Sequence, residues 1–260
     1  MSFRACEESA LDRIDALILA GAPAGAELSP DDANVSRAML PIGDKTMLQW
    51  VVDALRGAPS IGRIVAVGRV EADGLDEVIE PEESLIGNIR LGVSAIGPCE
   101  AVLVVCADVP MLTWQAVEDL LIRARELDAD MAYPIIRKSD CEARHPELRR
   151  TYVKTADGVF TGGNIMLLRP DFVMRNWRTI QNAYKARKHV AKLARIIGLG
   201  TLLRVIAGQA CPRLLRLAAL EKAASRALGG KLRAVISAYP EIGEDVDKPS
   251  DLAAVRALLA

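Results

Sequence analysis

Residues 102–112 read VLVVCADVPML. The first six of them are apolar, and one carboxylate, Asp108, follows. Such a run is typical of a strand buried on both faces of a sheet. The segment TWQAVEDLLIRARELD (113–128) follows and has the periodicity of a helix. Asp108 therefore comes at the carboxyl end of a buried strand, either as a cap of the following helix or as a metal ligand held at the rim of the sheet.

The same alternation of strand and helix runs through the first half of the chain. Apolar runs predict strands at 15–20, 61–68, 101–108 and 131–137, and amphipathic runs predict helices at 45–57, 84–97 and 113–128. This order predicts a three-layer α/β/α fold with a mostly parallel sheet. Ligands bind beyond the carboxyl ends of such strands, so the loop after Ala20 and Asp108 are expected on one rim.

The second half is less regular. Two strands, TYVKT and NIMLL, are predicted, joined through ADG and a TGG turn. A further strand begins near Lys231, and a loop with Asp245 and Asp247 leads to a closing helix with Pro249 in its first turn.

Residues 172–220 contain ten Lys or Arg and no Asp or Glu. They predict helices broken near Gly198, Gly208 and Pro212. We therefore expect one domain over residues 1–260 with a basic helical insertion at 172–230. Its apolar residues require burial, which leaves packing within the chain, a homodimer or peripheral membrane contact as hypotheses. Nucleic acid is disfavoured as a partner because aromatic residues are scarce in the segment.

The composition is that of a folded protein. Of 260 residues 51% are hydrophobic, which excludes a disordered chain, and the net charge of −1 gives no overall attraction to nucleic acid or membranes. The five scattered cysteines include no C-x-x-C pair, which argues against a disulfide framework or a zinc site. The N-terminus has acids where a signal peptide needs an apolar core, so a cytoplasmic protein is expected.

Two acids and one loop are the first candidates for chemistry. Magnesium prefers a few carboxylates together with water and substrate phosphates, and Asp108 and Asp247 would suffice if the fold brings them together. Taken singly, each also fits a loop or capping role. In the loop GAPAGAELSPDDANVSRAML (21–40), Gly21, Gly25 and the alanines let the backbone approach a phosphate. The loop is neither a P-loop nor a dinucleotide fingerprint, and it also fits an ordinary strand–helix connection.

The order of five motifs resembles the MobA-like nucleotidyltransferases, which have a glycosyltransferase-A type of fold. These motifs are LILAG, RAMLPIGDKTMLQWVVDAL, VLVVCADVPMLT, TGGNIMLLRP and DVDKPSDLAA. The resemblance covers most of the chain except about 172–230. It implies a nucleotide site formed by Leu19, Ala20, Gly21, Gly25, Gly87, Asn88 and Asp108. It further implies acceptor contacts at Gly162, Gly163 and Asn164, Mg²⁺ on Asp108 and Asp247, and catalytic roles for Arg37 and Asp108.

The implied reaction is Mg²⁺-dependent transfer of a nucleoside monophosphate from an NTP to a small phosphorylated or sugar-like acceptor, with release of pyrophosphate. CTP and GTP are the expected nucleotides. The sequence departs from the family in the first loop, which begins LAGA and has Arg37 where relatives have lysine. Between Gly21 and Ser36 this loop has no basic residue, and it carries two acids, Asp31 and Asp32. A glycosyltransferase using a nucleotide-sugar and a degenerate nucleotide-binding protein without turnover therefore stay as alternatives.

Overall fold

The structure is a computed structural model that describes residues 13–21, 28, 35–186 and 198–259. The strands are β1 Ile14–Leu19, β2 Pro41–Ile42, β3 Lys45–Thr46, β4 Ile61–Val67, β5 Glu77–Ile79, β6 Val102–Cys106, β7 Met131–Arg137, β8 Val153–Thr155, β9 Gly158–Gly162, β10 Ile165–Leu168 and β11 Leu232–Ser237. The helices are α1 Met47–Gly57, α2 Leu85–Ile96, α3 Trp114–Arg125, α4 Lys138–Arg144, α5 Pro170–Ala186, α6 Leu199–Ala210, α7 Leu217–Leu228 and α8 Pro249–Leu259. Short 3₁₀ turns lie at Arg37–Met39, Pro212–Leu214 and Pro240–Gly243.

Nine strands form the central sheet. Eight follow the order β5-β4-β1-β6-β10-β7-β9-β8, and β11 pairs with β7, while β2 and β3 form a separate hairpin. All strands of the central sheet run in one direction except β9 and β10, which pair antiparallel with their neighbours. The predicted mostly parallel α/β fold is therefore confirmed.

Alternate residues of the central strands pack into two cores, one on each face of the sheet. Ile18 of β1 points into the core that α1 and α3 cover, and Leu17 points into the core that α2 and α5 cover. In β6, Leu103 and Val104 alternate in the same way. This two-sided burial explains why residues 16–19 of β1 and 102–106 of β6 are all apolar, and it makes three layers.

The structure corrects two details of the predicted second half. Residues 158–162 (GVFTG) form β9, between β8 and β7, so TGG is the end of a strand and not a turn alone. Glycine is unfavourable in strands, which hides the signal, but a Cβ on Gly162 would collide with the Tyr133 hydroxyl of β7, so the close pairing requires glycine. Gly208 lies inside α6, where it packs against Leu215, and the helix ends only before Pro212.

The described part of the basic segment packs on the chain's own sheet. Phe172 and Val173 of α5 are buried in the second core, and α7 contacts α5 and β11. The apolar stretch 187–197 lies outside the described residues. The insertion at 172–230, the homodimer and the membrane contact stay predictions. None of the helices in the described residues combines the length and the apolarity needed to cross a bilayer.

A third, smaller apolar cluster holds the loop before α8. Val246 and Leu40 are fully buried in it, together with residues of the β2–β3 hairpin and α8. Burying such a side chain contributes about 1.5–3 kcal/mol. The cluster therefore fixes the backbone that carries Asp245 and Asp247.

Candidate functional site

The first strand turn and Asp108 lie on one rim of the sheet, as predicted. β1 and β6 are parallel neighbours with Leu19 opposite Cys106, and the Ala107 N–H donates to the Leu19 carbonyl at 3.2 Å. Ala20 follows Leu19 and is likewise buried. The carboxyl ends of both strands therefore open on the same side, which is where parallel sheets bind ligands.

A backbone hydrogen bond brings the late acidic loop to this rim. The Val246 N–H donates to the Asp108 carbonyl at 2.9 Å. As a result, one carboxylate oxygen each of Asp108, Asp245 and Asp247 lies within 4.8 Å of the other two. The predicted pair of Asp108 and Asp247 is thus brought together, and Asp245 joins it as a third acid that the sequence prediction did not include.

Arg37 lies among these acids. Its Nη2 donates to Asp247 Oδ1 at 2.6 Å and to the Val246 carbonyl, and it lies 3.7 Å from Asp108 Oδ2. The catalytic role of Arg37 stays a prediction. Its place in this structure is beside the carboxylates, where its charge partly offsets theirs.

The three carboxyl groups do not ionise equally. Burial raises the pKa of Asp108, although Arg37 opposes the shift. Burial and a hydrogen bond to Asp247 raise the pKa of Asp245 to about 7. For Asp247, burial is outweighed by hydrogen bonds from Arg37 and Asp245, and the pKa is lowered. Of the two acids in this loop, Asp245 is therefore the one that holds a proton more readily near neutral pH.

The carboxylates fit a divalent cation. Asp108 Oδ1 is buried and has no hydrogen-bond partner among the described residues, which is unusual because a buried carboxylate oxygen without a partner is costly. Carboxylate oxygens are the ligands that magnesium prefers. Asp108, Asp245 and Asp247 are therefore the residues that would hold such an ion.

Two of the predicted nucleotide residues, Gly21 after β1 and Asn88 of α2, also lie together. A Cβ on Gly21 would lie 2.6 Å from Asn88 Nδ2, so the turn and the start of α2 are in direct contact. Asn88 is buried, and its Oδ1 accepts a hydrogen bond from the Glu82 N–H at 2.7 Å. The N–H of Gly87 donates to the Ser84 hydroxyl that caps α2. Gly25, the remaining predicted nucleotide residue, lies outside the described residues, as do Asp31 and Asp32.

The predicted acceptor residues line a cavity of about 340 Å³ that also contains Asp245 and Asp247. Gly162, Gly163 and Asn164 form one wall of it. The Gly163 carbonyl accepts a hydrogen bond from the Tyr133 hydroxyl at 2.8 Å, and the Asn164 N–H donates to the Ile242 carbonyl at 2.8 Å. The two glycines thus have a packing role as well, because they allow β9 and β7 to approach closely.

Arg149, Arg150 and Lys248 line the same cavity, and sequence reasoning missed all three. The doublet Arg149-Arg150 precedes a strand and has no motif that separates it from a solvated surface pair. Lys248 adjoins the D-x-D pattern, and this adjacency was the available signal.

A second cavity, of about 430 Å³, lies at the opposite end of the central strands, where β1 and β6 begin. It is lined by the start of β1 and by residues next to β6 and β10, including Arg13, Asp15 and Arg169. This cavity and two larger ones, of about 700 Å³ beside α1 and about 620 Å³ beside α4, are lined by none of the three clustered acids. We therefore assign the candidate site to the rim at the carboxyl ends of β1 and β6.

Comparisons with known proteins found one family model and several similar solved structures. The family model described as "MobA-like NTP transferase domain" matches residues 16–239. A hypothetical transferase from Thermus thermophilus has a TM-score of 0.81 and 32% identity, with 92% of this chain and 99% of that chain covered. No curated protein matches the chain.

Two further solved structures share the fold at lower identity. A 2-C-methyl-D-erythritol 4-phosphate cytidylyltransferase from Thermus thermophilus has a TM-score of 0.54 and 16% identity, with 95% of this chain and 98% of that chain covered. A CMP:2-keto-3-deoxy-manno-octonic acid synthetase complexed with CTP has a TM-score of 0.58 and 15% identity, with the same coverage. At these identities the likeness shows the fold alone.

Proposed function

The chain belongs to the MobA-like NTP transferase domain family, and from that premise we propose that it transfers a nucleoside monophosphate from an NTP to a small acceptor, with release of pyrophosphate. The observation that carries the proposal is the meeting of Asp108, Asp245 and Asp247 within 4.8 Å, beside both the first strand turn and the 340 Å³ cavity. CTP is the first nucleotide to test, because two structural neighbours are described with cytidine chemistry, and GTP is the second.

The proposed cation is Mg²⁺, held by Asp108, Asp245 and Asp247. When bound, it supplies electrostatic stabilisation of the negative charge that develops on the transferring phosphoryl group. The unpartnered Oδ1 of Asp108 supports this assignment.

The chain's own residues bind and orient the reactants. The turn at Leu19, Ala20 and Gly21 presents backbone to the nucleotide, with Asn88 packed against it. Arg37 offers a guanidinium that forms hydrogen bonds with phosphate oxygens in a fixed geometry. The wall at 162–164 faces the acceptor on the other side of the acids.

The reaction balances without a further reagent. An acceptor oxygen forms a bond to the α-phosphorus, and the bond from that phosphorus to the oxygen bridging the α- and β-phosphates breaks. Pyrophosphate leaves with the electron pair of the broken bond. If the attacking oxygen belongs to a phosphate dianion, no proton has to be removed, and no histidine or other general base is needed.

The test incubates the protein with each NTP and MgCl₂ beside a panel of acceptors, and measures pyrophosphate. Pyrophosphate that depends on an acceptor supports the proposal. Release of a nucleoside diphosphate from a nucleotide-sugar would instead identify a glycosyltransferase on the same fold. Thermal stabilisation by NTP without either product would identify a degenerate nucleotide-binding protein.

A further inference from the structure

Exposed apolar side chains are concentrated on α6 and the turn that follows it. Among the described residues, four large apolar side chains are more than half exposed, and three of them are Leu203, Ile206 and Leu214, at 56%, 57% and 55%. Single exposed apolar residues are common on proteins and need no explanation. Three of them on one helix and its adjoining turn form a patch, which is typical of a surface that contacts another molecule.

The segment that carries these side chains is held against the edge of the sheet. On the inner side of α6, Gly208 packs against Leu215, which is fully buried. The Ala156 N–H, just after β8, donates to the Leu215 carbonyl at 2.7 Å. Leu203 and Ile206 are three positions apart, so they share one helix face, and that face is turned away from Gly208. The exposed side chains therefore belong to a surface that the fold holds in place.

This surface is also basic. Arg204, Arg213 and Arg216 are exposed, and none of them forms an ion pair or side-chain hydrogen bond within the described parts of the chain. One acid of the neighbouring β8–β9 turn, Asp157, accepts the Leu217 N–H at 2.8 Å. We define the α6 surface as the three apolar and three basic side chains of Leu203, Arg204, Ile206, Arg213, Leu214 and Arg216.

An anionic lipid surface fits this combination better than other partners do. The interface of a bilayer takes up the apolar side chains of a helix that lies on it, and anionic headgroups attract the arginines. A second copy of the chain would bring these arginines against their equivalents, because a two-fold interface pairs a patch with itself. Nucleic acid is disfavoured because the α6 surface has no aromatic side chain on which a base could stack.

We propose that the protein binds peripherally to membranes that contain anionic lipids, through the α6 surface. The apolar side chains enter the headgroup region, and the arginines pair with the negative charges of the lipids. The inference does not rest on the proposed transferase activity, because none of the six residues lines the 340 Å³ cavity or belongs to the acid cluster.

Vesicles are the probe, and binding of the whole chain is measured by co-sedimentation. We expect binding to vesicles of phosphatidylcholine with phosphatidylserine, at least about tenfold weaker binding to phosphatidylcholine alone, and a loss of affinity as salt is added. The variant R204A/R213A/R216A should bind the anionic vesicles at least about tenfold more weakly, because each arginine near such a surface strengthens binding about fivefold. L203S/I206S should lose about tenfold on the same vesicles.

Two controls test whether the effect belongs to this surface. Ile122→Ser changes an isoleucine of α3 that is 59% exposed, and Arg69→Ala removes an exposed arginine after β4, toward the other edge of the sheet from β8. Both should keep the affinity for anionic vesicles within about twofold of wild type. All of these variants change exposed side chains, so their melting temperatures should stay close to that of wild type.

Three results of the vesicle assay would overturn the proposal: no binding of the wild-type chain to anionic vesicles, unchanged affinity in L203S/I206S, or an equal loss in I122S. Sedimentation velocity without lipid tests the second copy as the occupant. We expect wild type and L203S/I206S to have the same oligomeric state. A wild-type dimer that dissociates in L203S/I206S would assign the α6 surface to a homodimer and reject the membrane contact.

Discussion

Asp108→Asn should leave the cation-free protein folded while removing cation-dependent nucleotide binding. The charge of Asp108 is attracted to Arg37 at 3.7 Å and repelled by Asp245 and Asp247 within 4.8 Å. At an effective dielectric constant of about 20, the attraction is about 4.5 kcal/mol, and one full repulsion at the outer limit of 4.8 Å is about 3.5 kcal/mol.

These effects nearly cancel. Asp245 is about half protonated at neutral pH, because its pKa is raised to about 7, so its repulsion counts roughly half, and the two repulsions together come to about 5 kcal/mol. The difference from the attraction is below about 1 kcal/mol, and solvent at the exposed carboxylate of Asp247 reduces every contribution. The melting temperature of the cation-free variant should therefore lie within about 4 °C of wild type.

Cation binding should behave differently. Changes to residues that only support a metal ligand typically cost 10- to 100-fold in affinity, so loss of a ligand should cost at least about 100-fold, or about 2.7 kcal/mol. The assay is calorimetric titration of Mg²⁺ and NTP, together with thermal denaturation with and without both. Asp119→Asn, which changes an aspartate paired with Arg123 on α3, is the matched control. Unchanged Mg²⁺·NTP affinity in D108N, or an equal loss in D119N, would refute the reasoning.

Three further predictions test the surroundings of the site. Gly21→Ala places a Cβ against the Asn88 amide, so NTP affinity should fall on the order of tenfold with little change in melting temperature; an unaltered NTP titration would contradict this. Gly92→Ala drives a methyl group into Leu17 in the core and should lower the free energy of unfolding by about 1–3 kcal/mol. A denaturant titration measures this loss, and an unchanged midpoint would contradict the prediction. Because its folded-state pKa is raised, Asp245 binds a proton more readily in the folded than in the unfolded chain, so its contribution to stability is lost as pH rises through about 7. Mg²⁺ must displace that proton, so its affinity should increase by about tenfold in total from pH 6 to 8 and level off above pH 7, and a flat calorimetric profile would count against Asp245 as a ligand.

The sequence determined the sheet and one side of the site because the signals there are local. Runs such as LILAG and VLVVCA contain no polar side chain, which predicts strands covered on both faces, and parallel strands necessarily end on a common rim. The place of Asp108 follows from this alone. The resemblance to the family added the expectation that Asp247 joins it.

The tertiary structure decided the rest. Nothing near Arg150 in sequence distinguishes an arginine buried against Asp245 from one in solvent, since its partner Asp245 is 95 residues away. β9 was missed for a related reason, because the glycines at both ends of GVFTG leave only three strand-favouring residues, and the segment becomes a strand by pairing with β7 and β8. The three acids meet because Val246 is buried and its N–H binds the backbone of Asp108, a contact between distant segments that local sequence patterns do not encode.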